Sequence, residues 1–111
     1  MSQNDLTRTR HALNAANKAI EFLKDKTRDD LHKDEMLSLA LVRLLEVVGE
    51  AAVGVGEEFK NQHPQVPWRE MIAMRNRLIH GYFDINLDIV WKTVIEDLPP
   101  LAGALEKLLD G

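Results

Sequence analysis

The chain has 111 residues, of which 45% are hydrophobic and 29% are charged, and its formal net charge is −4. This composition is typical of an ordinary globular protein, and we expect residues 1–111 to form a single domain. The acidic balance argues against a protein that coats nucleic acid with its whole surface, but it allows a local basic site. The absence of cysteine excludes disulfides, thiolate nucleophiles and cysteine-based zinc sites.

Recognisable targeting signals are also absent from the sequence. No apolar run approaches the roughly 18 residues that a membrane-spanning helix needs. The first residues do not combine a basic segment with a following apolar stretch, as a secretory signal would. We therefore expect a cytoplasmic protein that does not bind membranes.

The first predicted helix runs from about Asn4 to Lys24 and has one apolar face. Ser2 or Asn4 can cap its N-terminus. Residues 25–34 form a charged connector, predicted to be a loop with one helical turn at most and with Leu31 as its apolar anchor. His32 has two interpretations: a metal ligand beside nearby aspartates, or part of a solvated polar turn, and the second is the commoner situation.

The second predicted helix spans about Asp34 to Phe59 and is apolar around most of its circumference. Such a helix is buried on more than one side, and in a small domain we expect the second side to face a partner subunit. One narrow polar stripe remains, formed by Arg43, Glu46, Glu50 and Glu57. The carboxylates of Glu46 and Glu50 need partners. The candidates are Arg75 and His80, or else cations at the surface.

The third predicted helix runs from Pro67 to about Gly81, after a loop with two prolines. On an ideal helix, Arg75 falls within the apolar face, where an arginine is out of place unless it is paired or lines a cleft. Asn76 and His80 are four residues apart and should be neighbours on a second face. With Tyr82 beyond the helix end, this segment is a candidate site for binding and cleaving a phosphodiester.

The remaining chain is also predicted to be helical. Tyr82–Asn86 is expected to be a turn, and Asn86 can cap a fourth helix over Leu87–Asp97. Pro99-Pro100 is expected to break or kink that helix before it resumes at residues 101–109. No segment has the alternation of a strand. The predicted fold is all-α, an antiparallel up-and-down bundle of four to five helices.

The segment Arg75-Asn76-x3-His80-Gly81-Tyr82 closely resembles the Arg-x4-His-x-Tyr motif of the HepT family. These are HEPN-domain proteins, the ribonuclease toxins of type VII HepT–MntA toxin–antitoxin pairs. Residues 45–52 are similar to the central helix of the family, residues 63–71 to the Pro-x-x-Pro-Trp segment before the motif helix, and residues 88–99 to the last long helix. The resemblance covers most of the chain from about Leu39 onward, with no departure at the motif positions.

The resemblance implies a bundle that dimerises, with the two Arg-x4-His motifs facing one cleft at the interface. It implies endoribonuclease activity that needs no metal and no cofactor. It also implies a minimal nucleotidyltransferase antitoxin, similar to MntA, that adds AMP to the motif tyrosine. On this chain that residue is Tyr82, the only tyrosine present.

The residue chemistry agrees with these implications. An unperturbed imidazole has a pKa near neutral pH, so His80 is a candidate base or acid when a ribose 2′-hydroxyl attacks the phosphate. Arg75 can neutralise charge that develops on the phosphate oxygens. Asn76 can orient His80 or bind phosphate, while Glu46 and Glu50 are candidate supporting residues. DNA lacks the 2′-hydroxyl and should resist cleavage.

Two other functions fit the same residues. One is a catalytically silent HEPN protein that acts as the binding partner of a nucleotidyltransferase, with Tyr82 as the acceptor. The other is a structural, dimerising bundle in which Arg75 forms a buried pair with Glu46 or Glu50 and His80 caps a helix. Cleavage of RNA would distinguish the ribonuclease from both of these alternatives.

Overall fold

The computed structural model describes residues 3–80 and 84–111, and for residues 79, 80 and 84 it describes the backbone. The helices in the described ranges are α1 (Gln3–Leu23), α2 (Arg28–Lys33), α3 (Glu35–Gly54), α4 (Glu57–Gln62), α5 (Trp68–Leu78), α6 (Leu87–Lys92) and α7 (Leu98–Asp110), with a π-helical turn at Thr93–Asp97. Two short strands, β1 (Ile79–His80) and β2 (Asp84–Ile85), lie between α5 and α6. The predicted all-α fold is confirmed.

The bundle is organised around α1 and α3, which pack against each other. Helix α7 lies on α1, and α5 lies on α3. The side chains that these helices share are almost completely buried, among them Leu41, Leu45, Val48, Met71, Leu78, Leu98 and Leu105. No helix in the described ranges has the length and hydropathy to cross a membrane. The packing of α5 on α3 positions Arg75.

Helix α1 has the predicted bounds to within a residue, and its polar side chains hold the end of α3. The Asp5 carboxylate accepts a hydrogen bond of 3.0 Å from the Gly56 N–H. The Arg8 guanidinium donates one of 2.9 Å to the Gly54 carbonyl. The predicted cap at Ser2 lies outside the described residues.

The charged connector contains the six-residue helix α2, where a loop with one helical turn was predicted. Thr27 and Asp30 form a reciprocal capping box at its start, with hydrogen bonds of 2.8 and 3.1 Å. Leu31 is fully buried, as its role as anchor predicted. His32 Nε2 lies 3.1 Å from Asp88 Oδ1, so it contacts the first turn of α6. No group of three or more possible metal ligands occurs among the described residues.

The second predicted helix is too long. Helix α3 ends at Gly54, Val55 and Gly56 are extended, and Phe59 lies in the separate short helix α4. Glycine has low helix propensity, and the backbone groups of Gly54 and Gly56 are taken by the side chains of α1. These contacts end the helix five residues before the predicted point.

The predicted end of the third helix is also wrong. Helix α5 ends at Leu78 instead of Gly81, and the chain continues into an antiparallel ladder in which Ile79 pairs with Ile85. The Asn86 N–H donates a 3.1 Å hydrogen bond to the Leu78 carbonyl. The backbone therefore finds partners across this ladder rather than in another helical turn. Of the predicted turn at residues 82–86, positions 82 and 83 lie outside the described residues.

The last helical segment begins as predicted. The Asn86 side chain caps it by accepting a 3.1 Å hydrogen bond from the Ile89 N–H. Of the break or kink predicted at Pro99-Pro100, the break is wrong, since the chain stays helical from α6 through the π-turn into α7. The Leu98 N–H donates to the Thr93 carbonyl, five residues back. Both prolines then occupy the start of α7, where a missing N–H is tolerated.

Candidate active site

Arg75 lies in the last turn of α5, and the core fixes its helix. Met71, Met74 and Leu78 on the same helix are almost completely buried. Arg75 itself is half-buried. The ideal-helix prediction placed Arg75 in the middle of the apolar face and did not include Met74 in that face. In the structure, Met74 is in the core and Arg75 lies at the edge of the core. A charged side chain at this margin can reach both the core surface and a ligand.

Gly49 on α3 makes room for Arg75. A Cβ atom at Gly49 would stand 3.4 Å from both Cβ and Cδ of Arg75, and 3.1 Å from the Met71 carbonyl oxygen. Both separations are at or below ordinary van der Waals distance. The absent side chain therefore allows α5 to approach α3 closely and allows the aliphatic part of Arg75 to lie across α3.

The guanidinium of Arg75 has no hydrogen bond or ion pair with any described residue. Glu50 pairs with Arg43 at 3.6 Å, which agrees with the prediction of a surface cation as its partner. Glu46 is half-buried on α3. A pair between Arg75 and either glutamate, as a purely structural role requires, is not found in the described part of the chain. The described residues therefore leave the donors of Arg75 without an anionic partner.

The backbone of His80 lies in β1, directly opposite Asp84 of β2. Asn76 is exposed on α5. The prediction that Asn76 and His80 occupy successive turns of one helix is wrong, because α5 ends two residues before His80. The position of His80 therefore depends on the ladder between α5 and α6. Tyr82, the predicted acceptor of AMP, lies outside the described residues.

Asp84 is the neighbour of this site that the sequence analysis did not single out. Its backbone is the ladder partner of His80. The signal was present in the order Ile79-His80-Gly81-Tyr82-Phe83-Asp84-Ile85, in which isoleucines flank a glycine-containing connection. Such a pattern is typical of a short hairpin, but the preceding helical periodicity obscured it.

Helix α5 is positively charged although the chain as a whole is acidic. Helix α5 carries Arg69, Arg75 and Arg77 against a single carboxylate, Glu70. Arg69 and Arg77 are exposed. Two exposed cations on the same helix add long-range attraction for a polyanion, whereas the half-buried Arg75 can contact it at close range.

The model of a family described as ribonuclease HepT-like matches residues 12–108, which include all of α5 and the segment from Arg75 to Tyr82. The chain belongs to the HepT-like ribonuclease family. A protein of Thermococcus cleftensis named as a probable ribonuclease HepT is 45% identical to this HepT-like chain over 94 residues, which cover 81% of this chain and 86% of that protein.

Other relatives of this HepT-like chain include a candidate RNase of Caldanaerobacter subterraneus subsp. tengcongensis, 38% identical over 99 residues, with 89% of this chain and 88% of that protein covered. A candidate RNase of Methanocaldococcus jannaschii is 40% identical over 94 residues, covering 85% and 86% of the two chains. No solved structure matches the chain.

Proposed function

We propose that this chain is the endoribonuclease toxin of a HepT–MntA toxin–antitoxin pair. It acts as one HEPN domain, in the cytoplasm, and cleaves RNA without a metal at a cleft shared by two copies. The observation that carries this proposal is Arg75: a half-buried guanidinium, held against Gly49, with no anionic partner among the described residues. The ribonuclease family supplies the class of substrate that the Arg75 guanidinium would bind.

The proposed reaction begins with His80. Its neutral imidazole removes the proton from a ribose 2′-hydroxyl, and the resulting oxygen attacks the adjacent phosphorus. The bond from phosphorus to the 5′-oxygen breaks, and a protonated imidazole from the second copy supplies a proton to that oxygen. The products are a 2′,3′-cyclic phosphate and a free 5′-hydroxyl. Arg75 binds the phosphate oxygens through its planar donors, and exposed Asn76 binds phosphate or the imidazole.

Cleavage of RNA in EDTA tests this function, with unmodified wild type compared to His80→Ala. His11→Ala is the matched control, because His11 is an exposed histidine on α1. We expect wild type and the control to cut RNA equally and His80→Ala to lose activity by about 100-fold or more. Equal activity in all three chains would reject His80, and complete dependence on added metal would reject the metal-independent reaction.

We further propose that the MntA-like antitoxin silences the toxin by adding AMP to Tyr82. A bulky anion two residues from His80 would block the cleft and compete with RNA for Arg75. After incubation with the antitoxin and ATP, we expect wild type to gain the mass of AMP and lose cleavage. Tyr82→Phe should gain no mass and stay active. Inhibition of Tyr82→Phe to the same degree would show that the antitoxin acts by another route.

The second candidate function is that of a silent HEPN protein which only binds the nucleotidyltransferase. The net charge of −4 favours it, because polyanion-binding enzymes are more often basic. It predicts no RNA cleavage by wild type that is confirmed to be unmodified at Tyr82, together with normal binding of the antitoxin. Wild-type cleavage that disappears in His80→Ala would reject this second function.

A further inference from the structure

A pocket of about 580 Å³ lies between α4, the loop at residues 63–67 and the start of α5, and we call it the α4–α5 pocket. Its volume falls within the range of about 300–1,000 Å³ that is typical of pockets for small molecules. Pro64, Val66, Pro67 and Trp68 give it apolar walls on the side of the loop. None of these residues takes part in the reaction proposed above.

Hydrogen bonds hold the loop wall of the α4–α5 pocket in place. The Trp68 indole N–H donates a 3.0 Å hydrogen bond to the His63 carbonyl, and the Val66 N–H donates one of 3.2 Å to the same oxygen. The rings of Trp68 and Phe59 meet edge to face, with centroids 6.2 Å apart. Trp68 and Val66 are almost completely buried. Because this wall is already ordered, a ligand would bind there at a low cost in conformational entropy.

Two cations and two carboxylates also line the α4–α5 pocket, Lys60 and Arg69 against Glu57 and Glu70. The Lys60 side chain is only 11% exposed, although lysine is seldom buried, and its ammonium lies 3.7 Å from the Glu57 carboxylate. Because the two signs balance, the lining does not favour a bare phosphate. It suits a nucleotide, whose phosphate can accept hydrogen bonds from the two cations while N–H groups of its base donate to a carboxylate or to the Asn61 amide.

A row of residues on α5 joins the α4–α5 pocket to Arg75. Arg69, Ile72 and Arg75 are three residues apart, so they lie along one ridge of the helix surface. Arg69 and Ile72 line the pocket, and Arg75 lies about 9 Å further along the helix than Arg69. At about 3.4 Å per stacked nucleotide, this distance corresponds to two or three nucleotides. We propose that the pocket binds one nucleotide of the RNA strand, two or three positions from the phosphate at Arg75.

This inference deepens the proposed function by adding a second contact with the strand, and it rests on that function for the choice of RNA. Binding of strands of increasing length tests it without requiring cleavage. Suitable probes are 2′-fluoro oligonucleotides of two to about six nucleotides, which lack the attacking hydroxyl. Their affinities are measured by competition against a fluorescently labelled strand. We expect wild type to gain about tenfold in affinity at the length that first reaches the pocket.

Two substitutions remove the cations of the α4–α5 pocket, Lys60→Met and Arg69→Gln. Methionine retains the apolar stem of the buried lysine, and Arg69 is exposed. The matched controls are Lys107→Met on α7 and Arg77→Gln on α5, both exposed and outside the pocket lining. Arg69→Gln and Arg77→Gln lose the same charge from the same helix. We expect both pocket variants to lose the gain at the longer lengths, and both controls to keep it.

Circular dichroism first establishes which variants are folded, and exposed Arg69→Gln decides the result if Lys60→Met is not. The RNA subsite is rejected if wild type shows no step in affinity with length, or if the folded pocket variants keep the step. AMP and UMP serve as further probes. If they bind wild type but not Lys60→Met, and no step occurs, the pocket holds a free nucleotide and the RNA subsite is also rejected. A step lost in the pocket variants, without RNA cleavage by wild type, would support the subsite and reject the nuclease.

Discussion

Gly49 and Arg75 occupy adjoining space at the contact between α3 and α5: a Cβ on Gly49 would stand 3.4 Å from Cβ and Cδ of Arg75. It would also stand 3.1 Å from the Met71 carbonyl, which belongs to backbone and cannot rotate away. We expect Gly49→Ala to displace Arg75 and lower RNA cleavage by about tenfold or more. The same shift of α5 should lower the free energy of unfolding by about 1–3 kcal/mol. Single-turnover cleavage and urea denaturation measure the two effects.

Gly103→Ala is the control for this substitution. Gly103 lies in α7, and a Cβ there would meet nothing within 4 Å. Alanine has the higher helix propensity, so we expect an increase in stability of up to about 1 kcal/mol and unchanged cleavage. A Gly49→Ala chain that cleaves RNA like wild type would show that the position of Arg75 does not depend on the glycine.

Replacement of Arg75 by lysine should separate charge from geometry. Lysine keeps the positive charge but loses the planar fork of donors that fits a phosphate. Because Arg75 has no ion pair among the described residues, we expect stability to change by less than about 0.5 kcal/mol. We expect kcat to fall by about 100-fold with a smaller change in KM. Arg77→Lys, on the exposed side of α5, should leave kcat intact; an equal loss there would indicate general attraction of RNA instead.

The contacts between α1 and the end of α3 should contribute to stability. Asp5→Ala removes the acceptor for the Gly56 N–H, and Arg8→Ala removes the donor to the Gly54 carbonyl. We expect each to lower the free energy of unfolding by about 1 kcal/mol, as for an exposed hydrogen bond. Arg10→Ala, two residues along the same helix and exposed, is the control and should change stability less. Thermal and urea unfolding would detect the difference.

Asp30 should make the stability of α2 depend on pH. Hydrogen bonds from Thr27, chiefly from its backbone N–H, lower the pKa of Asp30 below its ordinary value. A group with a lowered folded pKa stabilises the fold above its unfolded pKa of about 3.9, and this contribution is lost as pH falls through the folded pKa. We expect Asp30→Asn to be less stable than wild type at neutral pH and the difference to shrink in acid. Asp110→Asn, at the end of α7, should show no such change.

The long helices could be predicted because their buried apolar residues recur at helical spacing in the sequence. The bounds of α1 and the Asn86 cap of α6 followed from local residue patterns, and both are present. The anchoring role of Leu31 was equally visible, since it is the one strongly apolar residue in a charged segment. These features depend on interactions within a few residues of one another.

The predictions that were wrong concern features that depend on residues far apart in the sequence. Helix α3 ends where side chains of α1, about 50 positions earlier, bind the backbone groups of Gly54 and Gly56. Helix α5 ends where Leu78 bonds to Asn86 rather than to another turn. The partner of Glu50 likewise could not be read from sequence, because Glu50 pairs with Arg43 rather than with Arg75. The candidate motif residues were predictable, but their spatial arrangement was not.

The π-turn at Thr93–Asp97 makes the length of this part of the chain critical. A π-turn is equivalent to one extra residue inserted into an α-helix, so it rotates everything that follows relative to a regular helix. Val90, Val94 and Leu98 are four residues apart and all buried, although two successive steps of four on a regular helix drift by about 80°. The extra residue cancels part of that drift. A deletion at exposed Ile95 would remove it and turn the apolar side of α7 by up to about 100° away from α1, whereas a conservative substitution at that position would keep the phase.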